Sequence, residues 1–160
     1  MQLELSAPSA DETRAIGAAV AASLRPGDGV ALTGELGAGK TTLVQGVARG
    51  VGYEGAVASP TFTLVREYRS GRVDLLHVDV YRLDRVQDVV DLALEERIDE
   101  GAVLLVEWGD AVEALLPPDH LVIELTTQDD AARRIRVRGV GPTWSERWEG
   151  LERDLEGWAA

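Results

Sequence analysis

The chain has no cysteine, two histidines, one lysine and few aromatic residues, 5% of its 160 positions. Each scarcity excludes something. Without cysteine there is no disulfide framework, no thiolate zinc site and no cysteine nucleophile. With only His77 and His120, a histidine-rich metal centre is disfavoured. Apolar runs are short: the uncharged stretch 15–24 falls well below the roughly 18 apolar residues a membrane span needs. An acidic residue, Glu4, stands where a secretory signal would carry basic ones, so a cytoplasmic, membrane-free protein is expected. Basic residues are outnumbered 16 to 28, for a net charge of −12. That balance argues against broad docking on nucleic acid, which needs clustered Lys and Arg to neutralise phosphates. What remains is 45% hydrophobic and 28% charged, a globular composition of a length that suits a single domain over 1–160.

Along the chain, helical and strand patterns alternate. Residues 1–5 alternate weakly, as a short strand would. Ser9-Ala10-Asp11-Glu12 has the capping-box pattern, and Ile16, Val20 and Leu24 follow at helical spacing. Pro26-Gly27-Asp28-Gly29 marks a turn before an apolar run, 30–33, expected as a buried strand. A glycine-rich stretch, 34–41, leads into 42–51, where Leu43, Val44, Val47 and Val51 keep helical spacing until Gly50, Gly52 and Gly55 end the helix. Strands are expected at 61–68 and 73–79, joined as a hairpin through Arg69-Ser70-Gly71-Arg72. Residues 86–98 read as a helix with Val86, Val89, Val90, Leu94 and Ile98 on its apolar side, and 102–106 as another buried strand. A second hairpin joins 121–125 to 132–137. A C-terminal helix over 144–158 places Trp144, Trp148, Leu151 and Leu155 on one face, most simply as core packing. No repeat and no long linker interrupts this order. The pattern predicts an α/β fold, a mixed β-sheet flanked by helices.

Gly34-Glu35-Leu36-Gly37-Ala38-Gly39-Lys40-Thr41 satisfies every fixed position of G-x-x-x-x-G-K-[ST], the phosphate-binding loop. The residue types follow from the chemistry. Glycines let backbone N–H groups curl around phosphate oxygens without a Cβ in the way. The helix that follows turns its positive end to the same anion. The lysine reaches the β- and γ-phosphates, and the Thr41 hydroxyl ligates Mg²⁺. The motif lies where its mechanism needs it, after an apolar strand and before an amphipathic helix, so a P-loop NTPase-type sheet is expected. Guanine selectivity of the Asn-Lys-x-Asp kind needs a second lysine, which the chain lacks, so ATP is favoured by exclusion.

A P-loop site also needs a carboxylate for the metal at the end of a buried strand. Two are candidates, Glu107 after Val103-Leu104-Leu105-Val106 and Asp79 after 73–78. Either alone reads as a solvated strand end. Together in a P-loop chain they point to function, Glu107 for Mg²⁺ and Asp79 for the attacking water or the metal. Ser59-Pro60-Thr61-Phe62-Thr63 places hydroxyls where a switch-type segment senses the γ-phosphate, although an ordinary turn reads equally well. His77 shares a strand face with Asp79, and as a lone strand histidine it reads as packed or solvated. Trp108 reads as a core aromatic or a shield for the metal. Arg134, Arg136 and Arg138 form a basic stripe, ordinarily a solvated face and otherwise a docking edge for an acidic or RNA-bearing partner.

Four motifs occur in order: the loop 34–42, ending in Thr42; Ser59-Pro60-Thr61-Phe62-Thr63-Leu64; His77-Val78-Asp79-Val80-Tyr81-Arg82-Leu83; and Val106-Glu107-Trp108. With these the chain resembles the TsaE (YjeE) family, small bacterial P-loop ATPases of tRNA threonylcarbamoyladenosine synthesis, from the helix start at Ser9 to the 121–137 hairpin. The resemblance implies weak ATP hydrolysis with Mg²⁺ and partners TsaD and TsaB, whose complex modifies adenosine at position 37 of tRNA. The ATPase would reset that complex and meet tRNA only through it. By matching, residues Glu35, Leu36, Gly37, Ala38, Gly39, Lys40, Thr41 and Thr42 would hold the nucleotide, with Ser59 and Thr61 as the switch. Thr41 and Glu107 would serve the metal, and Lys40, Asp79 and Glu107 catalysis. One departure is Gly109-Asp110, where members often carry an acidic residue directly after the tryptophan. Two other readings stay open. A P-loop kinase for a nucleotide or small molecule would close Arg69, Arg72 or the 133–138 arginines over phosphates, and a sensor would bind nucleotide without turning it over.

Overall fold

The computed structural model describes residues 1–59, 65–69, 71–79, 94–107 and 116–160. Expectations placed on Pro60 and Thr61 to Leu64, on the helix positions Val86, Val89 and Val90, on Tyr81 and Arg82, and on Trp108, Gly109 and Asp110 lie outside those residues.

Among the described residues seven strands form one sheet in the order β1-β7-β6-β2-β5-β4-β3. They are β1 (Gln2–Ala7), β2 (Gly29–Thr33), β3 (Val65–Tyr68), β4 (Leu75–Asp79), β5 (Val103–Glu107), β6 (His120–Thr127) and β7 (Arg133–Val140). The helices among the described residues are α1 (Ala10–Ala21), α2 (Lys40–Gly50), α3 (Leu94–Asp99) and α4 (Pro142–Leu155), with a short 3₁₀ turn at Glu156–Trp158. Strand β2 pairs in parallel with both β5 and β6, and β5 pairs in parallel with β4. The outer pairs β3–β4, β6–β7 and β1–β7 are antiparallel. The sheet is therefore mixed, with a parallel centre.

Sequence explains which strands lie where. Strands β4 and β5 are buried at every position, as strands covered on both faces must be. Strand β7 alternates buried Ile135 and Val137 with exposed Arg134, Arg136 and Arg138, so one of its faces meets water. Two apolar clusters result. The larger joins β-strand residues such as Val30, Leu32, Leu105 and Ile123 to α1, α2 and α4 through Ile16, Leu43, Val47, Trp144 and Leu151. The smaller gathers Ala31, Leu76, Val78, Leu104 and Val106 under Leu94 and Leu116. Among the described residues no helix is long and apolar enough to cross a membrane.

Helix α1 starts where the capping pattern predicts: Ser9 Oγ accepts the Glu12 N–H at 3.2 Å. Its far end is closed by a distant residue, since the Arg72 guanidinium donates to the carbonyls of Ala21 and Leu24 at 2.7 and 3.0 Å. Helix α1 also crosses α2 at close range, because a Cβ on Gly46 would overlap the Arg14 carbonyl oxygen. Helix α2 begins at Lys40, two residues before its expected start. Gly39, with φ +104°, is its left-handed N-cap, so Lys40 and Thr41 belong to the first helical turn. The C-terminal helix starts at Pro142, a residue suited to a first turn, and tightens to 3₁₀ after Leu155.

Candidate nucleotide and metal site

The phosphate-binding loop leaves β2 at Thr33 and enters α2 at Lys40, with Gly34, Gly37 and Gly39 all at positive φ. In that conformation a side chain is strained, and the freed amides can turn toward one anion. The Ala38 N–H donates to the Glu35 carbonyl at 3.0 Å and tightens the turn. Glu35, Leu36 and Gly37 are exposed at its tip, whereas Lys40 is buried. The ammonium donates to the carbonyls of Gly34 at 2.6 Å and Glu35 at 3.2 Å. Burial pulls its pKa below the usual lysine value, and the negative charges of Glu107 and Asp79 work against that pull. Both carboxylates therefore lie close enough to act on the loop's cation.

Sheet register brings them together. Asp79 ends β4, Glu107 ends β5, and the two are direct partners in the parallel ladder. Glu107 is in turn level with Leu32 of β2, one residue before the strand gives way to the loop. Asp79 and Glu107 are 6% and 3% exposed, so each is held rather than solvated. Among the described residues one lysine faces two carboxylates, and their oxygens are the hard donors that fit Mg²⁺. Among the described residues no group of three or more acidic or histidine side chains could hold a metal by itself.

The segment before the candidate switch is tied from two sides. The Val57 carbonyl accepts from Gln45 Nε2 of α2 at 3.5 Å, and the Ala58 carbonyl accepts from the Tyr68 hydroxyl of β3 at 3.1 Å. Ser59 follows, half-buried. Thr61 lies outside the described residues. His77, expected as a packed or solvated strand residue, is fully buried between Tyr68 and Glu107. His120 opens β6 level with Gly29, at the opposite end of the parallel strands from the loop.

One residue that the sequence marks only as part of the 133–138 arginine cluster has a part of its own at the loop. Arg133, at the start of β7, reaches across 95 residues and donates through Nε to the Ala38 carbonyl at 2.9 Å. Its other nitrogens reach the Gly37 carbonyl at 3.3 Å and the hairpin carbonyls of Asp129 and Ala132 at 3.0 and 2.9 Å. It thus fastens the β6–β7 turn to the outside of the loop. Its only sequence signal was membership of an arginine cluster. Of the other arginines expected for a lid, Arg69 pairs with Glu67 and Arg72 closes the end of α1. In the β7 stripe, Arg136 pairs with Glu4 and stands 3.8 Å from Glu124, as a solvated face does.

A family model described as "Threonylcarbamoyl adenosine biosynthesis protein TsaE" matches residues 7–135. The chain belongs to the TsaE family. Relatives named tRNA threonylcarbamoyladenosine biosynthesis protein TsaE occur in Bacillus subtilis, 40% identical over 95% of both chains, and in Treponema pallidum, 40% identical over 81% of this chain and 95% of the relative. The Streptomyces coelicolor TsaE is also 40% identical, over 82% and 93%. Among solved structures, that of YdiB from Bacillus subtilis superposes with a TM-score of 0.81 at 37% identity, covering 96% of this chain and 95% of the other. The family match ends inside β7, while likeness to the Bacillus proteins continues through most of the chain. The fold is thus the TsaE-type P-loop fold.

Proposed function

We propose that the chain binds ATP with Mg²⁺ and hydrolyses it slowly as the nucleotide-dependent subunit of tRNA threonylcarbamoyladenosine biosynthesis in the cytoplasm, acting on a TsaD–TsaB complex and meeting tRNA through that complex. The observation that carries this reading is the register pairing of Asp79 with Glu107 beside the buried Lys40, in a TsaE-family chain.

Each residue has a separate task. The amides of Glu35, Leu36, Gly37, Ala38, Gly39, Lys40, Thr41 and Thr42, with the Lys40 ammonium, neutralise the β- and γ-phosphates. Thr41 and Glu107 hold the metal, which when bound stabilises charge developing on the phosphoryl oxygens. Asp79 orients the attacking water. Ser59 and Thr61 sense the γ-phosphate and report it to the partner. A net charge of −12 agrees with indirect access to tRNA.

Purified chain should turn over ATP slowly alone and at a changed rate with TsaD and TsaB, releasing only ADP and phosphate. Failure to bind ATP, or turnover indifferent to the partners, defeats the proposal. A phosphorylated metabolite among the products would favour the kinase instead, a reading weakened by the engagement of Arg69, Arg72 and Arg133 in contacts within the fold.

A further inference from the structure

Beneath the two carboxylates runs a line of buried polar groups that the proposed chemistry leaves unused. Glu107 Oε2 lies 3.5 Å from His77 Nε2, with the side chains 4% and 0% exposed. That nitrogen has no hydrogen bond among the described residues. The other ring nitrogen, Nδ1, lies 3.0 Å from the Tyr68 hydroxyl, and the same hydroxyl lies 3.1 Å from the Ala58 carbonyl. The line therefore joins the backbone just before Ser59 to the carboxylate assigned to the metal.

We propose that His77 and Tyr68 are positioning residues: His77 Nε2–H steadies the Glu107 carboxylate for its metal, and Tyr68 links that hold to the Ala58–Ser59 segment. The inference rests on the reading of Glu107 as a metal residue. Its logic is that of any outer layer around a metal site, where a hydrogen bond orients the ligand and fixes a tautomer. The Tyr68 hydroxyl has one proton and two acceptors. Donated to Nδ1, it leaves the imidazole proton on Nε2, facing the carboxylate. Donated to the Ala58 carbonyl, it leaves Nδ1–H to bond the phenol oxygen, and a neutral ring then turns a lone pair toward Glu107. The gap of 3.5 Å is longer than a good hydrogen bond, so a small shift of the ring is needed to close it. Were the Ala58 carbonyl to draw back from Tyr68, its proton would pass to Nδ1 and His77 Nε2–H would turn to Glu107.

The test uses the full chain with a non-hydrolysable ATP analogue and Mn²⁺ as the metal probe, read by electron paramagnetic resonance. A glutamine amide nitrogen can take the place of imidazole Nε2, and an asparagine that of Nδ1. His77→Asn should weaken Mn²⁺ binding by about tenfold or more, and His77→Gln by no more than about threefold. Tyr68→Phe keeps the ring, loses the hydroxyl and should fall between them; it carries the test if the Asn variant does not fold. Analogue affinity in EDTA should match the parent in all three. Equal loss with Gln and Asn, no loss in any variant, or EDTA affinity falling in step with Mn²⁺ affinity would overturn the relay. If the parent chain itself binds the analogue no better with Mn²⁺, the metal reading of Glu107 fails, and the relay falls with it.

Discussion

Lys40 shows what a single residue can decide. Fifteen of the sixteen basic positions are arginine, and the one lysine sits in the loop, where a compact ammonium fits between phosphates better than a planar guanidinium. It is buried on two carbonyls and faced by two carboxylates, so its charge is already aimed before a ligand arrives. Lys40→Ala should lower ATP turnover by about 10²–10³-fold, the usual effect of removing one preorganised donor; an unchanged rate in a phosphate-release assay would contradict its role. Tyr68 offers a second residue-scale expectation. Burial pushes its hydroxyl from 10.0 up to about 12. The folded state thus holds that proton more tightly than the unfolded chain. The resulting stabilisation is complete below pH 10.0 and is lost as pH rises toward about 12. Over that window the melting temperature of the parent should fall more steeply than that of Tyr68→Phe. Parallel declines would show that the phenol does not contribute.

Among the elements, the P-loop is held between two supports of different kinds. One is α2, whose first turn presents Lys40 and Thr41. The other is the β6–β7 hairpin, which grips the loop through Arg133. That guanidinium serves four carbonyls, a geometry one ammonium cannot copy. Arg133→Lys should loosen the loop and weaken ATP binding by roughly tenfold, about 1.4 kcal/mol, read by isothermal titration; unchanged affinity would show that the loop keeps its shape unaided. The contrast between these supports also explains what could be read from sequence. The loop, the helix after it and the strand-end carboxylates are local patterns, fixed by spacing within a few residues. Asp79 and Glu107 were legible singly, but their adjacency depends on β4 lying next to β5, which no local pattern states. Arg133 acts across 95 residues and Tyr68 across 10, through contacts that exist only once the sheet is ordered. Helix α2 starts two residues before its apolar spacing suggests, because the left-handed turn at Gly39 ends the loop there.

Across the whole molecule, the two ends of the parallel strands divide stability from chemistry. The loop follows the C-terminal end of β2, and the two carboxylates end β4 and β5 at the same edge of the sheet. The other end is fastened by Arg147 of α4, which donates to both Asp28 carboxylate oxygens at 2.9 Å and to the Ser23 carbonyl at 2.9 Å, while its guanidinium lies 3.6 Å over the Trp144 ring. The Arg147 and Asp28 side chains are 7% and 13% exposed, so breaking the pair leaves a charge poorly solvated. Arg147→Met should destabilise the fold by about 3 kcal/mol and leave ATP affinity as it was. The two sites lie roughly 20 Å apart along the strand, at ~3.3 Å per residue, beyond the distance at which substitutions normally couple. Combining Arg147→Met with Lys40→Ala should therefore give stability changes that add to within about 0.5 kcal/mol in urea unfolding. A larger deviation would mean that strain at the fastened end reaches the loop through β2, and that the sheet transmits between its two ends rather than keeping them apart.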